Sequence, residues 1–193
     1  MKFPIYTISQ ASLEDFVAFW APQYRYAQES LYTDNIGRDL TADRIRELFD
    51  WKNGPRFATR NRRSIERYYI ARLSELEKLP SDTDAESFLS LFPSGGAIWR
   101  IFWLHCWQPT RFPIYDQHVH RAMSFIERGE REEIPKNDKA KVRSYLDRYL
   151  PFHRKFVGLD LREVDRALWV FGKFISSTRF PLPHNRPRPN KTD

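Results

Sequence analysis

The sequence predicts an all-α protein, and three observations carry that prediction. Apolar residues recur at helical spacing along most of the chain, Ser, Thr, Asp or Asn opens most of these runs, and Pro or Gly closes several of them. Alternation of the strand kind is absent except at residues 1–8, which read as a short extended arm with nothing obvious to pair with. With 41% apolar and 16% aromatic residues, a chain of 193 residues can bury one sizeable core, so a single helical unit is expected over 1–178.

The elements follow in order. Ser12 and Asp15 form a capping box, and Phe16, Val17 and Trp20 give the first helix its apolar face until Pro22 stops it. Residues 22–40 read as irregular and rich in Tyr. Thr41 caps a helix to about 51, with Ile45, Leu48 and Phe49 on one side, and Asn53-Gly54-Pro55 ends it. Six Arg against one Glu then make 56–72 the most basic part of the chain. Asn61 is expected to cap a helix reaching about 79, with Ile65, Tyr68, Tyr69, Leu73 and Leu76 buried. Arg60, Arg62 and Arg63 then lie on the open face, either as a solvated surface or as phosphate contacts.

After Pro80, Ser81 and Asp84 open a short helix that carries Phe88, Leu89 and Phe92. The turn Pro93-Ser94-Gly95-Gly96 follows, then a helix over 96–107 that is apolar nearly all round and holds three of the six Trp. Asp116 opens an amphipathic helix over 117–128. Asp138 begins a helix that Pro151 is expected to stop. Asp160 with Glu163 caps the last helix, and 179–193, basic and with four Pro, read as a flexible tail.

The net charge of +7 points to a polyanionic partner and says nothing about fold. The one cysteine, Cys106, lies in the apolar helix, so no disulfide framework, cysteine-based metal site or iron–sulfur cluster is expected, and no cofactor. The five His show no i, i+4 pair with an adjacent acid, and His118 and His120 point to different sides of their helix, which argues against a metal centre. No N-terminal run has the pattern of a signal peptide, and no stretch approaches the ~20 apolar residues of a membrane span. The expectation is a cytoplasmic protein that does not associate with membranes.

Two small features carry chemistry. A short glycine turn between helices makes a hairpin whose second helix presents free N–H groups, suited to a phosphate; it also serves as a plain helix corner. Asp116 is a natural N-cap, a structural role that accounts for it fully. A carboxylate held there also stays ionised, because amide donors and the helix dipole favour the charged form, and it can stabilise a positive sugar or orient a water.

Together these features resemble the helix-hairpin-helix DNA glycosylases, the endonuclease III-like superfamily. The hairpin of that family reads L-P-G-[VI]-G-[RK]-x-T-A. With Pro93 on its proline, Gly96 falls on its second glycine and Asp116 on the essential aspartate, without a gap. His118, Val119 and Arg121 continue the match to D-x-H-[IV]-x-R, and Trp169, Gly172 and Lys173 are similar to the closing-helix pattern W-x-x-x-G-[RK], with slightly tighter spacing. The resemblance spans about 81–177. It implies a two-lobed fold, with the hairpin-bearing lobe over about 40–135 and the terminal helices forming the other. It further implies a monomer acting on double-stranded DNA in base-excision repair, located with the nucleoid if the source is bacterial.

The departures are informative. Ile98 stands where bifunctional members carry a Schiff-base lysine, which leaves Asp116 as the sole catalytic group of a monofunctional hydrolase. Ser94 replaces the first hairpin glycine, and the basic-Thr-Ala segment is missing. The resemblance gives Ser94, Gly95, Gly96, His118, Arg121 and Lys173, with Arg60, Arg62 and Arg63, as DNA contacts. Tyr32 and Trp51 are candidates for stacking on a flipped base or for core packing. A catalytically silent DNA-binding protein on the same scaffold is the main alternative. An unrelated helical enzyme with Asp116 as a cap, and a plain interaction module, stay open.

Overall fold

The structure, a computed structural model, describes residues 12–54 and 59–177, the side chains of 59 and 60 apart. The expectations for the N-terminal arm and the basic tail lie outside those residues. Eleven α-helical segments are present and, among the described residues, no strand, so the all-α class holds. They are α1 (Leu13–Trp20), α2 (Glu29–Thr33), α3 (Ala42–Asn53), α4 (Thr59–Tyr68), α5 (Leu73–Leu76), α6 (Ala85–Leu91), α7 (Ala97–Trp107), α8 (Gln117–Arg128), α9 (Asp138–Ser144), α10 (Leu150–His153) and α11 (Leu161–Ser177).

Local chemistry sets most helix starts. Ser12 and Asp15 make the expected reciprocal box at α1. Thr41 Oγ1 accepts from the Arg44 amide at 3.3 Å, and Asp84 Oδ1 accepts from Ser87 at 2.9 Å. Asp160 accepts from the Glu163 amide at 2.9 Å, while the Glu163 carboxylate turns forward to Arg166 instead of back to the cap.

Three expectations are corrected. The segment 22–40 is not wholly irregular, because it contains α2. The single helix expected over 61–79 starts earlier, at Thr59, and breaks at Tyr69 (φ −123°, ψ −56°), where the chain passes through a 3-10 turn into α5. Tyr69 is fully buried, stacks on Phe49 at 4.8 Å and reaches the hairpin, so tertiary packing wins over helix continuation. Pro151 does not stop the helix begun at Asp138. The turn ahead of it widens to π form over Tyr145–Tyr149, with the Leu150 amide bonded to the Tyr145 carbonyl, and the wider turn accommodates a residue that lacks an N–H.

One buried cluster runs from Val17 in α1 to Leu168 in α11, with Phe49, Tyr69, Phe102 and Trp103 at its centre. Helix α11 packs along α8 and against α1, so both ends of the described chain share one layer. Helix α7 lies between α6 and α9. The α8–α11 contact depends on Gly172, where an added Cβ would lie 1.9 Å from the His118 carbonyl oxygen. No side chain fits there, so the glycine sets how closely the Asp116 end of α8 meets Trp169 and Lys173.

Candidate active site

The site is built around the start of α8. Asp116 is its N-cap, with extended backbone (φ −157°), and Oδ1 accepts from the amides of His118 (2.8 Å) and Val119 (3.2 Å). That leaves Oδ2 for other work. Oδ2 lies 3.4 Å from Lys52 Nζ, and the Asp116 side chain keeps 21% of its surface open while Lys52 keeps 7%. Burial pushes the Asp116 pKa up, but the Lys52 ammonium, the His118 imidazole and the two amides outweigh burial and bring it below the usual carboxylate value. The residue is therefore an ionised carboxylate with one oxygen fixed by its own helix and the other paired with Lys52, at the edge of a cleft.

Lys52 comes from the last turn of α3, and its Nζ also lies 5.6 Å from the centre of the Phe102 ring. Asp116 therefore has a lysine partner supplied by another helix. Ile98 itself lines the outer part of the cleft, an apolar wall near the carboxylate.

The cleft has two parts that share Tyr26, Lys52, Asp116 and Trp169. The outer part has a volume of about 400 Å³ and is bordered by Trp99, His118 and Lys141. The inner recess, about 60 Å³, is walled by Tyr24, Tyr26, Trp51 and Trp169, with Arg162 and Asp165 from α11. Glu29 holds this wall together. It accepts from Tyr24 Oη (2.9 Å), Trp51 Nε1 (3.1 Å), Arg162 (2.6 Å) and Arg166 (3.0 Å), which ties α2, α3 and α11 into one frame. Burial would raise the Glu29 pKa, but the two arginines and the Tyr24 hydroxyl outweigh it, so the carboxylate stays charged.

The hairpin is formed as expected, with Gly95 at φ 100° and Gly96 at φ 83°. Gly95 sits directly on Tyr69, whose hydroxyl would lie 2.1 Å from an added Cβ and donates to the Ser94 carbonyl at 3.4 Å. No side chain caps α7 at Gly96, so its first-turn amides present partial positive charge. The Asp138 carboxylate stands 3.8 Å from where a Gly96 Cβ would be and is paired with Lys141 at 3.2 Å.

The other expected DNA contacts divide. His118 borders the outer cleft, edge-on to Trp169 at 5.4 Å, and burial together with nearby cations lowers its pKa despite Asp116. Lys173 is exposed, with Nζ 4.8 Å from the Trp169 ring centre. Arg121 is engaged within the protein: its side chain is 12% exposed and is held at 2.9 and 2.6 Å by Glu133, where it clasps the loop after α8. Arg62 is half-exposed and paired with Asp50 at 3.0 Å, Arg63 is exposed, and the Arg60 side chain lies outside the described residues.

The two base-stacking candidates also divide. Trp51 walls the inner recess. Tyr32 does not; it is buried behind Trp51 with its hydroxyl 2.8 Å from His105 Nε2, a core position. Sequence reasoning missed Lys52, Tyr24, Tyr26, Arg162 and Asp165, and named Trp169 only for the closing-helix pattern, without a place at the site. Two of them left a readable signal. Lys52 continues the Ile45, Leu48, Phe49 stripe of α3, and Asp165 falls on the buried side of α11 with Val164 and Leu168. A charged residue on an apolar stripe must find a partner or line a cavity.

Among the described residues, no group of three or more His, Cys, Asp or Glu is arranged to hold a metal ion, and no helix is long and apolar enough to cross a membrane. No family model, curated protein or solved structure matches this chain.

Proposed function

We propose that the protein is a monofunctional DNA glycosylase that hydrolyses the N-glycosidic bond of a damaged or modified base in double-stranded DNA. The supporting observation is the divided role of Asp116: Oδ1 is spent on the α8 amides, while Oδ2 is paired with Lys52 and the residue lines a cleft with an aromatic recess. In this reading the nucleotide leaves the duplex and its base enters the recess. The bond from C1′ to the base nitrogen breaks and its electron pair departs with the base. Positive charge on the sugar is then met by Asp116 Oδ2, a water oxygen forms the new bond to C1′, and the proton that water gives up ends on the departed base. Basic side chains near the cleft, Lys141 and Lys173, supply salt-dependent attraction to the backbone. The two-lobed arrangement, the monomeric state and the repair role belong to the same proposal.

A second reading has its own observation. The Lys52 ammonium already occupies a place beside Asp116 Oδ2 where a positive sugar would be stabilised, which favours a binding protein that no longer cleaves. One experiment separates the two: duplexes carrying different lesions are incubated with the protein and scored for abasic sites with and without alkali. Base release that appears as strand breaks only after alkali supports the monofunctional enzyme. Tight, lesion-selective binding with no abasic sites supports the silent binder. Breaks without alkali would overturn the monofunctional claim and turn attention to the Lys52 amine.

A further inference from the structure

Four residues line both the outer cleft and the inner recess: Tyr26, Lys52, Asp116 and Trp169. Two of them are charged, with opposite signs, and Lys52 Nζ lies 3.4 Å from Asp116 Oδ2. That separation is longer than the roughly 2.8 Å of a tight charged hydrogen bond. An ammonium carries three N–H donors, and among the described residues Asp116 Oδ2 takes the one hydrogen bond that Nζ donates. Nζ also faces the Phe102 ring at 5.6 Å. The other Lys and Arg side chains at the cleft are engaged away from Asp116. Arg162 donates to Glu29, Lys141 is paired with Asp138, and Lys173 lies against the Trp169 ring.

We infer that Lys52 is the catalytic group that holds the departing base, and that the substrate base is one that is neutral when bound and leaves as an anion. This assignment rests on the glycosylase reading of the site and names its substrate class. With the base in the recess and the sugar in the outer cleft, the glycosidic bond lies at the boundary that Lys52 and Asp116 share. Heterolysis of that bond puts positive charge on the sugar and the electron pair on the base. The boundary supplies one charge of each sign, Asp116 for the sugar and Lys52 for the base, both in place before the bond breaks. A Lys52 N–H donates to the nitrogen or carbonyl oxygen of the base that gathers the charge. Water then adds its oxygen to C1′, and the proton it gives up neutralises the base. A cationic N-alkylated base departs neutral, so an ammonium does not assist its departure and repels it on entry. The Arg162 guanidinium, 5.4 and 5.3 Å from the Tyr24 and Trp51 ring centres, adds a second cation at the recess wall.

The test measures single-turnover base release from duplexes carrying one uracil, one hypoxanthine or one N-alkylated purine. Each rate is divided by the spontaneous rate for the same duplex. The wild type should accelerate release of at least one neutral base at least about tenfold more than release of the alkylated base. Lys52→Met, compared on the plateau of its own pH profile, should release that neutral base about tenfold more slowly, and Lys52→Arg, which keeps the charge, should recover most of the loss. The wild-type comparison stands whether or not Lys52→Met folds. Greater acceleration for the alkylated base, an unchanged neutral-base rate in Lys52→Met, or a Lys52→Arg protein as slow as Lys52→Met overturns the inference and leaves the glycosylase reading intact. Release of no base by the wild type overturns the enzymatic reading, and the inference with it.

Discussion

Helices α7 and α8 begin twenty residues apart in sequence and solve the same problem in opposite ways. Each start leaves amides without a partner inside the helix. At α8 the chain supplies its own anion: Asp116 Oδ1 takes the His118 and Val119 amides. At α7 the chain supplies glycine, with no side-chain cap, and the nearest carboxylate is Asp138 on α9. The lesson concerns what remains for function. A satisfied N-terminus fixes a carboxylate whose second oxygen is available for chemistry, whereas an unsatisfied one offers its amides to an anion from outside. The glycosylase reading uses both, one for the sugar and one for a phosphate, and substitutions at the two starts should separate these roles.

The largest effect is expected at α8. Asp116→Asn keeps an oxygen to accept from the cap amides but removes the charge, so base release should fall by roughly 10³-fold or more with affinity for duplex nearly unchanged. Asp116→Ala should match that loss and also destabilise the fold by about 1 kcal/mol in chemical denaturation. If Asn and Ala variants lose binding and stability alike, Asp116 is a cap and nothing more.

Next is the packing that holds α8 in place. Gly172→Ala would drive a methyl to within 1.9 Å of the His118 backbone carbonyl, so α8 and α11 must separate. The expected cost is about 3 kcal/mol, read as a lower unfolding midpoint. Gly95→Ala, at the other start, meets the Tyr69 hydroxyl and a positive φ, and should cost about 2 kcal/mol. Equal stability of either variant with the wild type would show that the contact it probes is looser than the structure indicates.

A smaller effect is expected from the ion pair. Lys52 is one of the groups that lower the Asp116 pKa against the burial that raises it. Asp116 works only when ionised, so activity is present above its folded pKa and lost as the pH falls through it. Lys52→Met removes the main opposing charge, and the acid limb of the pH–activity profile should move to higher pH. An unmoved limb would mean that the two amides alone keep the carboxylate ionised.

The smallest effect belongs to the α7 start. Asp138→Asn removes a negative charge from beside Gly96, so affinity for duplex should rise a few-fold at low salt and converge with wild type as salt increases. Unchanged affinity at every salt concentration would remove the hairpin from the list of phosphate contacts.

These regions also show how much could be read in advance. Local chemistry was legible. Ser12, Thr41, Asp84, Asp116 and Asp160 each bond an amide two or three residues on, and such bonds depend only on neighbours in sequence. The hairpin glycines and their positive φ followed from the same local logic. The break at Tyr69 was not legible, because it depends on a ring that packs beneath the Ser94–Gly95 turn and against Phe49. Passage through Pro151 was hidden for a similar reason, since a π turn is selected by what it packs against.

The sequence by itself determined the helical class, the place of most principal helix starts, α4 excepted, and the placement of Asp116 on an N-cap, because spacing and capping act within a few residues. Only the tertiary structure decided what faces Asp116 Oδ2. Lys52 lies 64 residues away along the chain and 3.4 Å away in space. The recess behind it collects side chains from α3, α11 and the Tyr24–Tyr26 segment, joined through Glu29. Periodicity can mark Lys52 and Asp165 as charges on apolar stripes, but a stripe names no partner. That choice is made by the packing of whole helices, here by α11 lying on α8 across a glycine.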